Sequence, residues 1–458
     1  MDSLLITYVL IGAVAVVCVL PFFVALRARS ADLFEPGRWA AAYFALLFVL
    51  RPLYDLIFGS EFLGDTPFDQ ATGEAFNLGL IYAWLSFCVF LGGYYSNLGA
   101  IFARSFPRLP TMWNGCRAKI AWPLLLGLGF ISYFTLVGSF GGWNYYILNK
   151  SETLTSPGQG FLQLGSSMMS IGFIMALTQS YSSGGRGYLA YVLLLPILLI
   201  LGLLTGSKSA LLSSILAAMI VTHYLKREIR FRHIVYLGML TIVLLPILNI
   251  YRGITSDSGM SIAFIGDGFQ SGAESLIRNL MARFYGIDSL TLLIRDTPKV
   301  MDYQLGETIW PLFVSWIPRQ FWEDKPIISF GKIFAEKYLG DFFYGTGTSA
   351  SPTLLGELYL NWHIPGMLFG ALLSGIVIRS VYTYFIRRQF GAPAVFIYSL
   401  TFLLLFTFWE ASIAGMLAEI SAPLILLFAL VFLVGEGRGD SMRNALPCQG
   451  AVKRKKGD

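Results

Sequence analysis

Eleven apolar runs punctuate this chain, and each is long enough to cross a bilayer. They fall at roughly 4–26, 39–58, 74–94, 118–138, 160–181, 188–205, 209–225, 233–250, 364–386, 392–411 and 415–435. A run of about 20 apolar residues is the length a helix needs to span the hydrocarbon layer. Because the runs are continuous and do not alternate, they read as helices and exclude a β-barrel. Composition agrees: 55% of residues are hydrophobic, mean hydropathy is +0.64, and 13% are charged, against about 25% in soluble domains. A soluble fold has too little interior to hide that much apolar surface. A soluble enzyme, a disordered chain, a nucleic-acid binder and a disulfide-stapled secreted domain are therefore excluded. The expectation is an all-α polytopic membrane protein with about 11 transmembrane helices. The acidic start, Met1-Asp-Ser, and the length of the first run argue against a cleaved signal.

Lys and Arg set the orientation. The connections after runs 1, 3, 5, 7 and 9, together with the C-terminal tail, hold 21 of the 33 cations, among them Arg27, Arg38, Arg104, Arg117, Lys226, Arg379 and Arg388. The connection between runs 2 and 3 holds no cation and carries Glu61, Asp65, Asp69 and Glu74. The N-terminus is expected outside and the C-terminus in the cytoplasm. The expected organisation is a bundle over 1–250, an external loop over 251–363, further spans over 364–435 and a basic tail over 436–458. Cys18 and Cys88 lie in spans, and Cys116 and Cys448 lie on the cytoplasmic side, so no external disulfide is expected. The three histidines are scattered, and neither a metal nor a cofactor is expected.

The external loop breaks the charge pattern. It contains nine cations, including Arg252, Arg278, Arg283, Arg319 and Lys325. Long loops translocate regardless of charge, which is one reading; the other is that this face binds an anion. Leu276, Ile277, Leu280, Met281, Phe284 and Ile287 follow helical spacing, predicting an amphipathic helix over 271–296. Trp310-Pro-Leu-Phe-Val-Ser-Trp-Ile-Pro318 is too short to span and reads as an interfacial or re-entrant piece with Trp anchors. Gly345-Thr-Gly-Thr-Ser-Ala-Ser351 can serve as an anion nest or as a linker. Lys208 lies in a turn at the start of a helix, where free amides and an ammonium suit phosphate; snorkelling to the interface is the other reading. Inside the membrane, Arg51 and Asp55 are placed i, i+4 and read as a structural pair or a pathway, with Pro52 adding a kink. Glu410 and Glu419 lie near the outer ends of their runs.

Three blocks carry a resemblance. Tyr251-Arg-Gly after a span, Trp316-Ile-Pro-Arg-Gln-Phe-Trp-Glu-Asp-Lys-Pro326, and Gly356-Glu-Leu-Tyr-Leu-Asn-Trp-His-Ile-Pro-Gly366 resemble the Wzy-type repeat-unit polymerases of O-antigen and exopolysaccharide synthesis. The Thr205-Gly-Ser-Lys-Ser209 turn is similar to theirs as well. The resemblance covers roughly residues 200–370 and implies a metal-independent membrane glycosyltransferase with a GT-C-like fold in the bacterial inner membrane. It implies glycans on undecaprenyl diphosphate as substrates and a chain-length regulator as a partner. The chemistry is compatible, since a lipid diphosphate leaves only when its developing charge is neutralised, and arginine forks do this well. Arg252, Arg283 and Arg319 are the first candidates, then Arg278, Lys325 and Lys208. Glu357 and His363 are the candidates for the general base on the acceptor hydroxyl, with Asp324 third. An O-antigen ligase and a lipid-linked glycan flippase are the competing expectations; for the flippase, no paired repeat is seen.

Overall fold

The computed structural model describes residues 2–27, 32–58, 70–143, 146, 159–185, 187–204, 208–239, 281, 284–315, 317, 321–322, 326, 330–338 and 350–437. Among these, seven helices are long and apolar enough to cross a membrane: Leu4–Arg27, Pro36–Phe58, Thr72–Tyr95, Gly115–Ser139, Phe161–Ser182, Leu354–Arg388 and Ile413–Val434. A bent pair, Ala392–Thr401 with Leu404–Glu410, makes an eighth when counted as one span, and Leu193–Gly202 and Leu212–Leu225 are shorter apolar helices. The protein is thus a polytopic helical membrane protein. The run predicted at 233–250 is helical from 231 to 239, and its remainder lies outside the described residues.

We label the helices in chain order: α1 (Asp2–Arg27), α2 (Pro36–Phe58), α3 (Gln70–Tyr95), α4 (Leu98–Ser105), α5 (Gly115–Ser139), α6 (Gln159–Ser182), α7 (Tyr188–Leu204), α8 (Lys208–Leu225), α9 (Gly286–Asp296), α10 (Phe330–Tyr338), α11 (Leu354–Tyr382), α12 (Ala392–Thr401), α13 (Leu404–Thr407) and α14 (Ile413–Val434). The helices α3 and α11 form the central pair. They approach backbone to backbone, because a Cβ on Gly375 would stand 2.2 Å from the Phe90 carbonyl oxygen and one on Gly93 would stand 2.4 Å from that of Leu372. Small residues serve this purpose in membranes, where packing rather than water exclusion drives helix association. Around them Phe44, Phe48, Phe87, Phe90 and Trp409 stack into an aromatic core. The kink expected from Pro52 takes another form: a π-turn over Leu46–Leu50 precedes it and delivers Arg51 to the interior.

The connections expected on the cation-rich side share one end of the bundle. Met112–Trp113 pairs antiparallel with Gly435–Glu436, joining the start of α5 to the end of α14. Asp32, before α2, accepts from Tyr224 at 2.7 Å, from Tyr382 at 2.5 Å and from the Phe34 amide at 3.1 Å. His223 Nε2 stands 3.6 Å from it, its Nδ1 accepting from the Ile229 amide. Burial opposes the charge on Asp32, but the donors His223, Tyr382, Tyr224 and Phe34 outweigh it and hold the carboxyl below its usual range. Glu35 beside it accepts from Arg379 at 3.0 Å and Tyr94 at 3.1 Å. This knot joins α2, α3, α8 and α11 at the basic end.

At the other end, residues 286–296 of the amphipathic helix expected over 271–296 are helical, and most of 271–285 lies outside the described residues. The helix described here begins at Gly286, and residues 286–294 are buried all round rather than along one stripe. It packs against α3, α11 and α2, with Ile287, Leu290, Leu293 and Ile294 in the core. Loop residues so apolar cannot remain in water, so this part of the long connection belongs to the bundle. The expected loop end at 363 also shifts: α11 starts at Leu354 and carries Glu357 inside a helix.

Candidate functional site

The site grows from a two-turn helical piece, residues 354–361, with an irregular residue at each end. Thr353 enters it at φ 61°, ψ 154°, and its hydroxyl accepts from the Gly356 amide at 3.0 Å, capping the first turn. Trp362 and His363 leave it, with His363 at φ 55°, ψ −153°. Pro365 then opens the second piece of α11, where a missing N–H is tolerated. Both end residues occupy backbone space that is essentially reserved for glycine, at about 1–3 kcal/mol each. Neighbours hold the first in place: Ser351 Oγ accepts from the Thr353 amide, its amide donates to Tyr285 Oη, and its carbonyl accepts from Ser289 Oγ. A Cβ on Gly366 would stand 2.4 Å from that of Trp362, so only glycine lets the second piece fold back at the kink.

Glu357 sits in the middle of this piece with no exposed surface. One carboxylate oxygen accepts from Thr308 Oγ1 at 2.8 Å and the other from the Ile413 amide at 2.6 Å. One turn later, Asn361 Nδ2 donates to Thr308 Oγ1 at 2.7 Å and to the Glu357 carbonyl at 2.8 Å, while its Oδ1 accepts from the Gly306 amide at 2.7 Å. A single carboxylate therefore clasps the 304–308 turn, α11 and the first residue of α14. With both oxygens occupied and no exposure, Glu357 acts in this arrangement as a crosslink. Glu357→Gln should lower stability by about 1–3 kcal/mol, since one amide oxygen cannot serve both donors. Thermal melting in detergent measures this, and an unchanged midpoint would remove the clasp from the account.

His363, the other candidate base, is half-buried at the bundle edge. Its ring lies 5.0 Å from Tyr359 and 5.6 Å, edge-on, from Tyr303, and Tyr359 stacks on Tyr82 at 6.0 Å. Of the two candidates, it is the one whose ring reaches the surface. The two aromatic rings and the strained turn together fix the position of the imidazole.

Where α9 meets α2, the pair Arg51 and Asp55 gains a third member, Asp288. Arg51 bonds Asp288 at 2.7 Å, Asp55 at 3.1 Å and the Met281 carbonyl at 3.0 Å, and all three ionisable side chains are buried. Asp288 had a readable signal as an acid amid the apolar Ile287, Leu290 and Leu293. Asn361, one helical turn after Glu357, was equally readable. Thr308, Tyr303 and Tyr359 carried no such signal. Glu410 accepts from the Tyr43 hydroxyl, and Glu419 is exposed on α14. Lys208 is the first residue of α8, with its side chain outside what is described. Arg252, Arg278, Arg283, Arg319, Asp324 and Lys325 lie outside the described residues, as do residues 345–349 of the expected nest and most of the 271–285 stretch. Among the described residues, no group of three or more His, Cys, Asp or Glu could hold a metal ion.

The fold and this site define a polytopic helical membrane protein with a buried polar clasp at one end. A family model described as a domain of unknown function, DUF8712, matches residues 145–411, more than half of the chain, and the protein belongs to that family. No curated protein and no solved structure matches the chain.

Proposed function

We propose that this protein is a metal-independent glycosyltransferase that polymerises undecaprenyl-diphosphate-linked oligosaccharide repeat units at the outer face of the bacterial inner membrane. In this reading the chain has 11 spans in a GT-C-like arrangement, the N-terminus is outside, and a chain-length regulator is a partner. The observation that carries it is the block from Gly356 to Gly366. The residues that resemble the polymerases there include the clasped Glu357 and Asn361 and the strained, surface-reaching His363. A stretch that keeps two side chains buried in hydrogen bonds and a third in a strained turn is organised for more than packing.

The reaction balances without an external energy source. The acceptor sugar hydroxyl attacks the anomeric carbon of the growing chain, and His363 takes the hydroxyl proton. The anomeric carbon–oxygen bond to phosphate breaks, and the electron pair leaves on the lipid diphosphate. Arg319, Arg252 and Arg283, with Arg278, Lys325 and Lys208, neutralise that charge. Deleting the gene in its host should leave single capped repeats on glycan gels. Bare core with polymer held on the carrier would mean a ligase, and lipid-linked units that never reach the outer face would mean a flippase. Arg319→Ala should abolish polymer while membrane insertion stays intact; wild-type polymer in that variant would remove Arg319 from the site.

A further inference from the structure

The turn that clasps Glu357 has a second face. From Leu305 to Phe313 the chain presents large apolar side chains outward: Leu305 is 77% exposed, Trp310 56% and Phe313 65%. Polar residues of the same stretch, Asp302 and Glu307, are exposed as well. The one helical turn of the stretch, Trp310–Val314, turns Pro311 and Val314 inward against α14 and Trp310 and Phe313 outward.

The depth of this face follows from the clasp. The Glu357 carboxylate binds Thr308 with one oxygen and the Ile413 amide with the other. Thr308 therefore lies at the level where α14 begins. Trp310, two residues on, cannot be more than about 7 Å from that level along the chain. From there α14 continues with Leu417, Ile425, Phe432 and Leu433 exposed, the surface that a spanning helix turns to lipid tails. The exposed aromatic face is continuous with that surface at its end. Trp and aromatic rings at such a level partition into the headgroup layer, where an apolar body and a polar edge are both satisfied.

We propose that residues 305–315 form an in-plane membrane seat, with Leu305, Trp310 and Phe313 embedded in the lipid headgroup layer beside the start of α14 and Asp302 and Glu307 facing water. The partner is the bilayer itself, not a protein. Because the same turn donates to Glu357 and Asn361, the seat fixes the depth of the strained kink at His363 relative to the lipid surface. The inference rests on exposure and connectivity alone and stands whether or not the protein is a glycosyltransferase.

Site-directed spin labelling tests it on the full chain in phosphatidylcholine–phosphatidylglycerol vesicles. Nitroxides at Trp310→Cys and Glu307→Cys are compared for collision with oxygen, which concentrates in lipid, and with a water-soluble nickel chelate. The seat requires position 310 to be several-fold less accessible to nickel than 307 and more accessible to oxygen. Nickel accessibility equal to that of 307 would make the segment an aqueous loop and overturn the proposal. Protection from both reagents would show a protein surface covering it, and would overturn the proposal equally. Leu305→Cys reads the same face through a different side chain if the Trp310 variant fails to insert.

Discussion

Arg51→Leu should prevent the protein from accumulating in the membrane. The guanidinium bonds Asp288 at 2.7 Å and Asp55 at 3.1 Å in an environment where none of the three side chains meets solvent. Removing the cation of a buried ionic group leaves an uncompensated negative charge out of water, at about 3–5 kcal/mol. That is a large part of the stability of an ordinary domain. The loss should be concentrated where α9 is held to α2, so limited proteolysis should cut near 281–296 before it cuts the α5–α6 pair. Arg51→Leu combined with Asp55→Asn and Asp288→Asn should recover most of the loss, because it removes the negative charge the arginine neutralised. Normal accumulation of the single variant would show that the triad contributes little. A triple variant worse than the single would show that the carboxyls have another role.

His363→Gly and His363→Ala should both lose polymer yet differ in stability. Each removes the imidazole and with it general-base assistance, which contributes about 10²–10⁴-fold to a rate. They differ only in a Cβ at φ 55°, ψ −153°. The alanine keeps the backbone strain and the glycine releases it, so the glycine variant should be the more stable by about 1–3 kcal/mol, less the extra freedom glycine has when unfolded. Melting in detergent and glycan gels measure the two effects separately. Polymer made by either variant would remove His363 from the reaction. Equal melting points would mean that the turn relaxes and stores no strain.

Much of the fold was legible because bilayer thickness constrains sequence so directly. The run read at 118–138 is the helix Gly115–Ser139, and the cation-rich connections gather at one end of the bundle. Less legible was anything that depends on partners distant in sequence. Glu357 was readable as a carboxylate near a span, but its burial depends on Thr308 and on Ile413, which lies 56 residues further on. Arg51 and Asp55 were readable at i, i+4, whereas Asp288 lies 237 residues from Arg51 and shares no local pattern with it. The helix over 286–296 carried a strong apolar pattern whose partner surface, not its periodicity, decides that it is buried all round. The irregular backbone at Thr353 and His363 had only an indirect trace, Pro365 and Gly366, because neither residue type advertises a glycine-like conformation.

The connectivity of the Glu357 clasp also sets an order of assembly. A nascent membrane protein delivers its helices in sequence, and Ile413 is the first residue of the last span among the described residues. Until that span emerges, the carboxylate has Thr308 but lacks its second donor, and the kink beyond it is anchored on one side only. The turn that carries His363 is therefore completed late, by α14, after the helices that precede it are in place. Helix α14 thus acts as a latch, so that a chain abandoned before it is made inserts into the membrane without forming the finished site.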